Sequence, residues 1–184
     1  MLFNEDSRVK IPAIPHLTKL GYQYISRKDH CKRMEETNFF SEIFRESISR
    51  INPGASETDL KRHLDEITLK LDYDDLGREF YKALTATSGI KLIDFKNIQN
   101  NSFHVTTELT CKNGEEEFRP DITVLINGMP LVFIEVKKPN NKQGVIDERN
   151  RINRRYGNKK FKRFANITQL MIFSNNMEYQ DGVI

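Results

Sequence analysis

Three charged residues directly adjoin branched apolar residues in one stretch of this 184-residue chain, FRPDITVLINGMPLVFIEVKKP, which spans residues 118–139. They are Asp121, Glu135 and Lys137. Carboxylates are ligands that Mg²⁺ prefers in proteins. An ammonium group near a phosphate can orient an attacking water or stabilise the negative charge that develops during in-line attack. Together, the three residue types indicate metal-dependent hydrolysis of a phosphodiester.

The stretch predicts a β-hairpin, because branched apolar residues flank the turn signal at residues 127–128. Two registers are consistent with this pattern. A two-residue turn would place Asp121 opposite Ile134 and leave Glu135 on the other face. A three-residue loop that includes Met129, or an equivalent bulge, would place Asp121 opposite Glu135.

Only the second register places the charged residues on one face of the hairpin and the branched apolar residues on the other. We therefore predict an odd-length loop or an equivalent bulge. One face would then carry the branched apolar residues Ile122, Val124, Ile126, Val132, Ile134 and Val136. The other face would carry Asp121, Thr123, Glu135 and Lys137. Directly opposed residues have Cβ atoms about 5 Å apart. Two carboxylates at that distance repel unless a cation lies between them.

Basic residues are concentrated directly after the hairpin. Residues 137–163 contain eleven Lys and Arg against Asp147 and Glu148, although the formal net charge of the whole chain is only +3. Such a segment attracts phosphates, and we predict that it binds DNA. The predicted DNA-binding residues are Arg149, Arg151, Arg154, Arg155, Lys159 and Lys160. A solvated helix face is the alternative interpretation of this charge.

Hydrophobic periodicity divides the chain into a helical first half and a strand-rich second half. Helical spacing predicts helices at about residues 4–20, 40–51, 56–71, 76–84 and 145–156, with Ser56 as an N-cap. Alternation predicts strands at residues 90–95, 103–111 and 169–173 in addition to the hairpin. The order indicates a mixed α/β fold in which helices flank a sheet.

Length and composition suit one ordinary domain, covering residues 1–184. The sequence has neither a run of eighteen apolar residues nor an apolar N-terminal signal segment, which predicts a cytoplasmic protein without a membrane partner. Its two cysteines, Cys31 and Cys111, are far apart, which argues against a zinc site. The four histidines are scattered, so we interpret them as structural.

A family resemblance rests on these residues. Pro120-Asp121, thirteen residues and then Glu135-Val136-Lys137 resemble the PD-(D/E)XK nuclease motif. The whole hairpin sequence resembles the N-terminal endonuclease region of the restriction (R) subunit of type I restriction-modification enzymes. Asn4-Glu5, Arg8 and Leu20-Gly21-Tyr22 also resemble the opening helix of that subunit, which extends the likeness to nearly the whole chain.

The resemblance implies roles for individual residues. Asp121 and Glu135 would be Mg²⁺ ligands, with the Val136 carbonyl as a candidate third ligand. Lys137 would be the catalytic lysine, and Glu5 a supporting acidic residue from the first helix. The implied fold is a restriction-endonuclease-like core of about four mixed strands flanked by helices. Residues 33–87 would be a helical elaboration, and residues 90–174 the catalytic core strands and the basic helix.

The implied activity is hydrolysis of double-stranded DNA that leaves a 5′-phosphate, coupled in the full complex to ATP-driven translocation. The implied partners are the modification and specificity subunits. No G-x-x-x-x-G-K-[ST] phosphate loop occurs in the sequence. We therefore expect an N-terminal fragment of a longer chain that binds ATP only through a downstream motor, and weak cleavage by the fragment alone.

One element departs from the family pattern. Many such nucleases carry Gln-x-x-x-Tyr on the helix after the lysine, but Ile152 stands four residues before Tyr156. Arg151 and Arg155 are the candidates to replace the missing glutamine. Two alternatives to the restriction function stay open: a stand-alone repair or junction nuclease of the same fold, and a non-catalytic DNA-docking module whose hairpin charges are structural.

Overall fold

A five-stranded mixed sheet holds the predicted hairpin near its centre. The computed structural model describes residues 10–113, 116–138 and 141–174. The helices are α1 Ile11–Lys19, α2 Ser41–Ile51, α3 Glu57–Lys70, α4 Arg78–Leu84, α5 Lys142–Tyr156 and α6 Lys162–Ile167. The strands are β1 Gln23–Tyr24, β2 Phe103–Thr107, β3 Cys111–Asn113, β4 Glu116–Phe118, β5 Ile122–Ile126, β6 Met129–Val136 and β7 Leu170–Ser174. None of the helices in these ranges has the length and apolar character needed to cross a membrane.

The strand order in the sheet is β1-β2-β5-β6-β7. The central strand β5 runs antiparallel to its neighbours β2 and β6, while β1 is parallel to β2 and β7 is parallel to β6. Strands β3 and β4 form a separate two-stranded ribbon. The predicted mixed α/β class is confirmed. The fifth strand is β1, whose two residues are too short for alternation to predict it.

The hairpin combines a two-residue turn with a bulge. Asn127 and Gly128 both have positive φ, 52° and 78°, as a tight type I′ turn requires. Beyond the turn the register shifts, so that Leu125 pairs with Pro130 but Val124 pairs with Val132. The predicted three-residue loop is wrong, whereas the equivalent bulge is confirmed. Its consequence is the predicted pairing of Ile122 with Ile134 next to the charged residues.

The apolar face of the hairpin forms its own cluster. Ile122, Val124 and Val136 are buried together with Val105, and Val132 and Ile134 pack at the margin of this cluster. Residues of α1 cover the cluster. Ile126 was predicted on the same face, but it packs against the larger core. The bulge lies between Ile126 and the rest of the face, so the alternation does not continue through it.

The larger core joins the helical first half to the other side of the hairpin. Its buried members are Phe39, Phe44, Ile48, Leu60, Ile67, Leu71, Phe80, Ala83, Leu84, Leu92, Ile93, Met129, Leu131 and Ile167. The predicted cap at Ser56 is confirmed. The Ser56 hydroxyl accepts a hydrogen bond from the Asp59 amide, and the Asp59 carboxylate accepts one from the Ser56 amide, so α3 begins with a capping box.

Residues 90–95 are not the strand that their apolar pattern predicts. Leu92 is fully buried, but asparagine side chains rather than a neighbouring strand bind the backbone here. Asn52 accepts a hydrogen bond from the Lys91 amide at 2.8 Å, and Asn127 donates to the Leu92 carbonyl at 2.8 Å. Periodicity alone cannot distinguish a buried strand from a buried irregular segment.

Two other predicted boundaries are also corrected, and a third is only partly covered by the described residues. Leu76 lies outside α4, because its φ is 56° and the Asp75 carboxylate accepts hydrogen bonds from the amides at the start of that helix. The strand predicted at 103–111 ends at Thr107, since Glu108 has a φ of 52°. Only α1 of the helix predicted at 4–20 is described. Asn4, Glu5 and Arg8 lie outside the described residues.

Gly128 fixes the turn that sets the hairpin register. A Cβ atom at this position would lie 2.7 Å from the Phe40 carbonyl oxygen and 2.7 Å from the Phe44 amide nitrogen. We expect Gly128→Ala to lower the free energy of unfolding by about 1–3 kcal/mol, measured by urea denaturation, because the backbone must shift to admit the methyl group. Gly54→Ala is the control, since nothing lies within 4 Å of its added Cβ. Equal stability of the two variants would contradict the prediction.

Candidate active site

The hairpin brings the two predicted carboxylates together. Asp121 directly precedes β5, and Glu135 lies in β6, one residue beyond the Ile122–Ile134 pair. The Asp121 carboxylate accepts a hydrogen bond from the Val136 amide at 2.9 Å, and it is close enough to Glu135 to raise the pKa of that carboxyl. The predicted juxtaposition therefore exists, and the β-bulge produces it.

Glu135 is almost completely buried, with 4% of its surface exposed. Burial raises the pKa of Glu135 to about 8, and the neighbouring Asp121 and Glu148 carboxylates act in the same direction. The Lys137 ammonium partly opposes this rise in pKa. A cation bound between Asp121 and Glu135 would favour the ionised form of both carboxyls and lower the pKa of Glu135.

Lys137 follows β6 and is held at both ends. Its backbone amide donates to the Ser174 carbonyl of β7 at 2.8 Å. Its Nζ lies 3.2 Å from Oε2 of Glu148, a buried residue of α5. The charge count along the sequence missed this role of Glu148. A usable signal was its spacing of four from Ile152, which places both residues on one face of the helix.

A second group that the sequence did not indicate lies beside Asp121. Lys10, at the start of α1, places its Nζ 2.9 Å from Oε1 of Glu108 and 3.6 Å from Oδ1 of Asp121. The Glu108 backbone amide also donates to the Asp121 carbonyl at 3.1 Å. The first helix was predicted to supply Glu5 to the site, but Glu5 lies outside the described residues. The described residue from this region that approaches Asp121 is a lysine.

The donor set can be compared with the needs of a divalent ion. Within the described ranges, no group of three or more His, Cys, Asp and Glu side chains could hold a metal. Asp121 and Glu135 provide a pair of oxygen donors, while Glu148 is engaged by Lys137 and Arg151. Mg²⁺ is commonly held by one or two carboxylates and keeps several waters. The pair fits such an ion, and it does not form a closed all-protein cage.

Only some of the predicted DNA-binding residues in the basic segment are without a described intramolecular contact. Arg149, Arg154 and Lys159 are exposed. The other three predicted DNA-binding residues make intramolecular contacts. Arg151 binds Glu148, Lys160 binds Glu116, and the guanidinium of Arg155 lies 4.5 Å from the centroid of the Phe118 ring.

The helix positions of the missing Gln-x-x-x-Tyr element are largely structural. Ile152 is fully buried, and the Tyr156 ring packs edge-on against Phe164 at 6.2 Å between centroids. Burial raises the pKa of Tyr156 to about 12. Of the two predicted replacements, Arg155 stacks on an aromatic ring, whereas Arg151 contacts the site indirectly through Glu148.

Comparisons with known proteins agree with the family resemblance that the hairpin sequence indicates. The family model described as type I restriction enzyme R protein N terminus matches residues 2–180. A Methanocaldococcus jannaschii protein named "Putative type I restriction enzyme MjaIXP endonuclease subunit" is 28% identical over 204 residues, which cover 97% of this chain and 19% of that protein. The type I restriction enzyme HindI endonuclease subunit of Haemophilus influenzae is 29% identical over 150 residues, which cover 68% and 14%. The chain thus spans less than a fifth of the length of these relatives. By the extent of the family match, this chain belongs to the family of type I restriction enzyme R protein N-terminal regions.

Proposed function

We propose that this chain is the endonuclease domain of a type I restriction enzyme R subunit, and that it hydrolyses double-stranded DNA with Mg²⁺ as cofactor. The observation that supports the proposal best is the Asp121–Glu135 pair at the hairpin, with Lys137 two residues beyond Glu135, directly after β6. Family membership supports restriction as the biological role. The names of both relatives include "endonuclease subunit", which supports cleavage over DNA docking alone.

Asp121 and Glu135 would hold the ion, together with the Val136 carbonyl. Mg²⁺ at this position would neutralise phosphate charge and lower the pKa of a bound water. The role of the protein is to hold two carboxylates close together, with Glu135 buried and Asp121 partly exposed. The amide of Val136 fixes one oxygen of Asp121, and burial in β6 restricts the Glu135 side chain.

Lys137 supplies the positive charge that the reaction needs beside the scissile phosphate. Its ammonium can donate to a non-bridging phosphate oxygen and stabilise the extra charge of the pentacovalent transition state. The attacking water forms a new oxygen–phosphorus bond, loses a proton to solvent, and displaces the 3′ oxygen. The 3′ oxygen takes up a proton, so that the products are a 5′-phosphate and a 3′-hydroxyl.

The exposed arginines of α5 are proposed to bind the DNA backbone. The double variant Arg149→Gln, Arg154→Gln should weaken binding of non-specific duplex DNA by the R subunit. It should also make the slope of log binding constant against log salt concentration shallower by about 2, since each phosphate contact contributes about 1 to that slope. Lys61→Gln, at an exposed residue of α3, is the control. The assignment fails if the double variant retains the salt slope of the unaltered subunit.

Cleavage of unmodified duplex DNA by the complete complex carrying Asp121→Asn tests the proposed function. We expect no cleavage products, as with a chelator, while ATP hydrolysis by the complex continues. Continued ATP hydrolysis would show that the variant complex assembles. Unaltered cleavage would instead favour a docking module.

Coupling to translocation is part of the same proposal, with the modification and specificity subunits as partners. We expect the isolated 184-residue chain to cleave DNA poorly with Mg²⁺. Brisk, ATP-independent cleavage would favour the stand-alone repair or junction nuclease.

A further inference from the structure

A buried carboxylate on α5 contacts the amine of the proposed catalytic lysine. Glu148 is 4% exposed, and its Oε2 lies 3.2 Å from Nζ of Lys137. Arg151, one helical turn later, donates from Nε to Oε1 at 2.7 Å and from Nη2 to Oε2 at 2.6 Å. Two cations from different structural elements thus bind one carboxylate.

We propose that Glu148 is a positioning residue for Lys137, and that Arg151 fixes the carboxylate which does the positioning. The inference rests on the proposed function, because Glu148 would act on the reaction only through the Lys137 amine. It also assigns a structural partner to Arg151, which the sequence placed among the DNA-binding residues.

The physical need for such a residue follows from the lysine side chain. Its ammonium sits on a flexible four-carbon stem, so a fixed backbone does not fix the reacting nitrogen. The Lys137 backbone is held by its bond to Ser174, and the 3.2 Å contact with Glu148 restrains the other end of the side chain. A misplacement of about 1 Å in a reacting group can cost 10²-fold in rate.

The bidentate contact makes Glu148 a firm anchor. Arg151 binds both carboxylate oxygens, which restricts rotation of the carboxylate as well as its position. Arg151 itself is about half exposed, with 52% of its side chain accessible, so it can bind Glu148 without being buried. Glu148 is the buried member of the pair, and it is also the member that contacts Lys137.

A purely structural link between α5 and the sheet would not need this charge. Ile152, one turn later on α5, is fully buried and has no charge to desolvate. A buried ion pair is often no more stabilising than apolar residues of similar size. Glu148 also adds negative charge near Glu135, where Asp121 already repels it. The location of this costly charge is explained by its contact with Lys137.

Single substitutions in the complete restriction complex test the inference. Glu148→Gln keeps the shape of the side chain but removes its charge. We expect it to lower the maximal cleavage rate by about 10- to 100-fold, the usual effect of removing a partner that orients a site residue. The DNA concentration at half-maximal rate should not change, because Glu148 is buried. Asp147→Asn is the matched control, since Asp147 is an exposed carboxylate on the same helix.

Two further variants make the result specific. In a Lys137→Met background, Glu148→Gln should cause no additional loss of rate. Glu148→Asp keeps the charge but shortens the side chain by one carbon, so it should lower the rate by less than Glu148→Gln. If Glu148→Gln does not fold, Glu148→Asp decides: a reduced rate at unchanged DNA affinity supports positioning, and an unaltered rate overturns it.

The outcomes separate the two proposals. A Glu148→Gln enzyme as fast as the unaltered enzyme, with Lys137→Met inactive, overturns positioning and leaves the proposed function standing. An equal loss from Glu148→Gln with and without Lys137, or a loss of DNA affinity, shows a structural role and also overturns it. Full activity of Lys137→Met overturns the catalytic role of Lys137 and the positioning role with it.

Discussion

Lys137→Met in the complete restriction complex is expected to lower the rate of DNA cleavage by about 10²- to 10⁴-fold, the range for loss of a positioned acid–base or charge-stabilising group. The Lys137 side chain is 17% exposed, so its ammonium acts where water screens charge poorly. Methionine keeps much of the length of lysine without its charge. The measurement is the rate of conversion of supercoiled, unmodified plasmid to nicked and linear DNA.

The control for this prediction is Lys19→Met, a change of the same kind at an exposed residue of α1. ATP hydrolysis should continue in both variants, which shows that assembly and DNA engagement are intact. A Lys137→Met complex that cleaves within a few-fold of the unaltered complex would exclude Lys137 from catalysis. Failure of ATP hydrolysis would instead point to defective assembly, and the Asp121→Asn variant would then test the site.

The second large expected effect is stabilisation of the native state by a bound divalent ion. This stabilisation should depend on Asp121 and Glu135. At an Mn²⁺ concentration 100 times its Kd, an ion that binds only the native state stabilises it by about 2.7 kcal/mol. We expect this stabilisation in the unaltered chain and not in a variant that combines Asp121→Asn with Glu135→Gln. The cause is the loss of both charged oxygen donors. Thermal unfolding with Mn²⁺ and with chelator measures the difference.

Thermal unfolding in chelator measures the effect of the substitutions without metal. Glu135→Gln should not destabilise the chain in chelator, because a neutral amide does not repel Asp121 at this buried position. Asp147→Asn should retain the full response to Mn²⁺, since Asp147 is exposed on α5. Anomalous density in a crystal soaked with Mn²⁺ gives an independent answer. Density at another site, with none between Asp121 and Glu135, would exclude these residues as the ligands.

The local sequence determined the hairpin and its register. Side chains of a strand alternate between the two faces of a sheet, and one of the two registers mixed charge with core, so the pairing next to Asp121 and Glu135 followed from pleat geometry. The turn itself was less predictable. A two-residue turn with a bulge and a three-residue loop give the same offset beyond them, and only packing of Gly128 against α2 distinguishes the two.

Helices with local signals were also predictable from the sequence. The cap at Ser56 and the spacing of apolar residues in α3 are interactions between near neighbours. Residues 90–95 had the same apolar content as a strand, but their backbone partners are side chains distant in sequence. Asn52 and Asn127 are 39 and 35 residues away from the groups they bind.

The sequence by itself determined which residue types are present for catalysis, because Asp121, Glu135 and Lys137 are close in a single hairpin whose pairing is local. Only the tertiary structure decided what surrounds them. Lys10 precedes α1 and Glu148 lies in α5, on either side of the hairpin in sequence, and each is linked to the site by an ion pair. The burial that raises the pKa of Glu135 likewise depends on the packed elements around it. Hydrophobic periodicity predicts which face of a helix or strand is apolar. It does not predict which charged residue from another element will lie next to a buried charged residue.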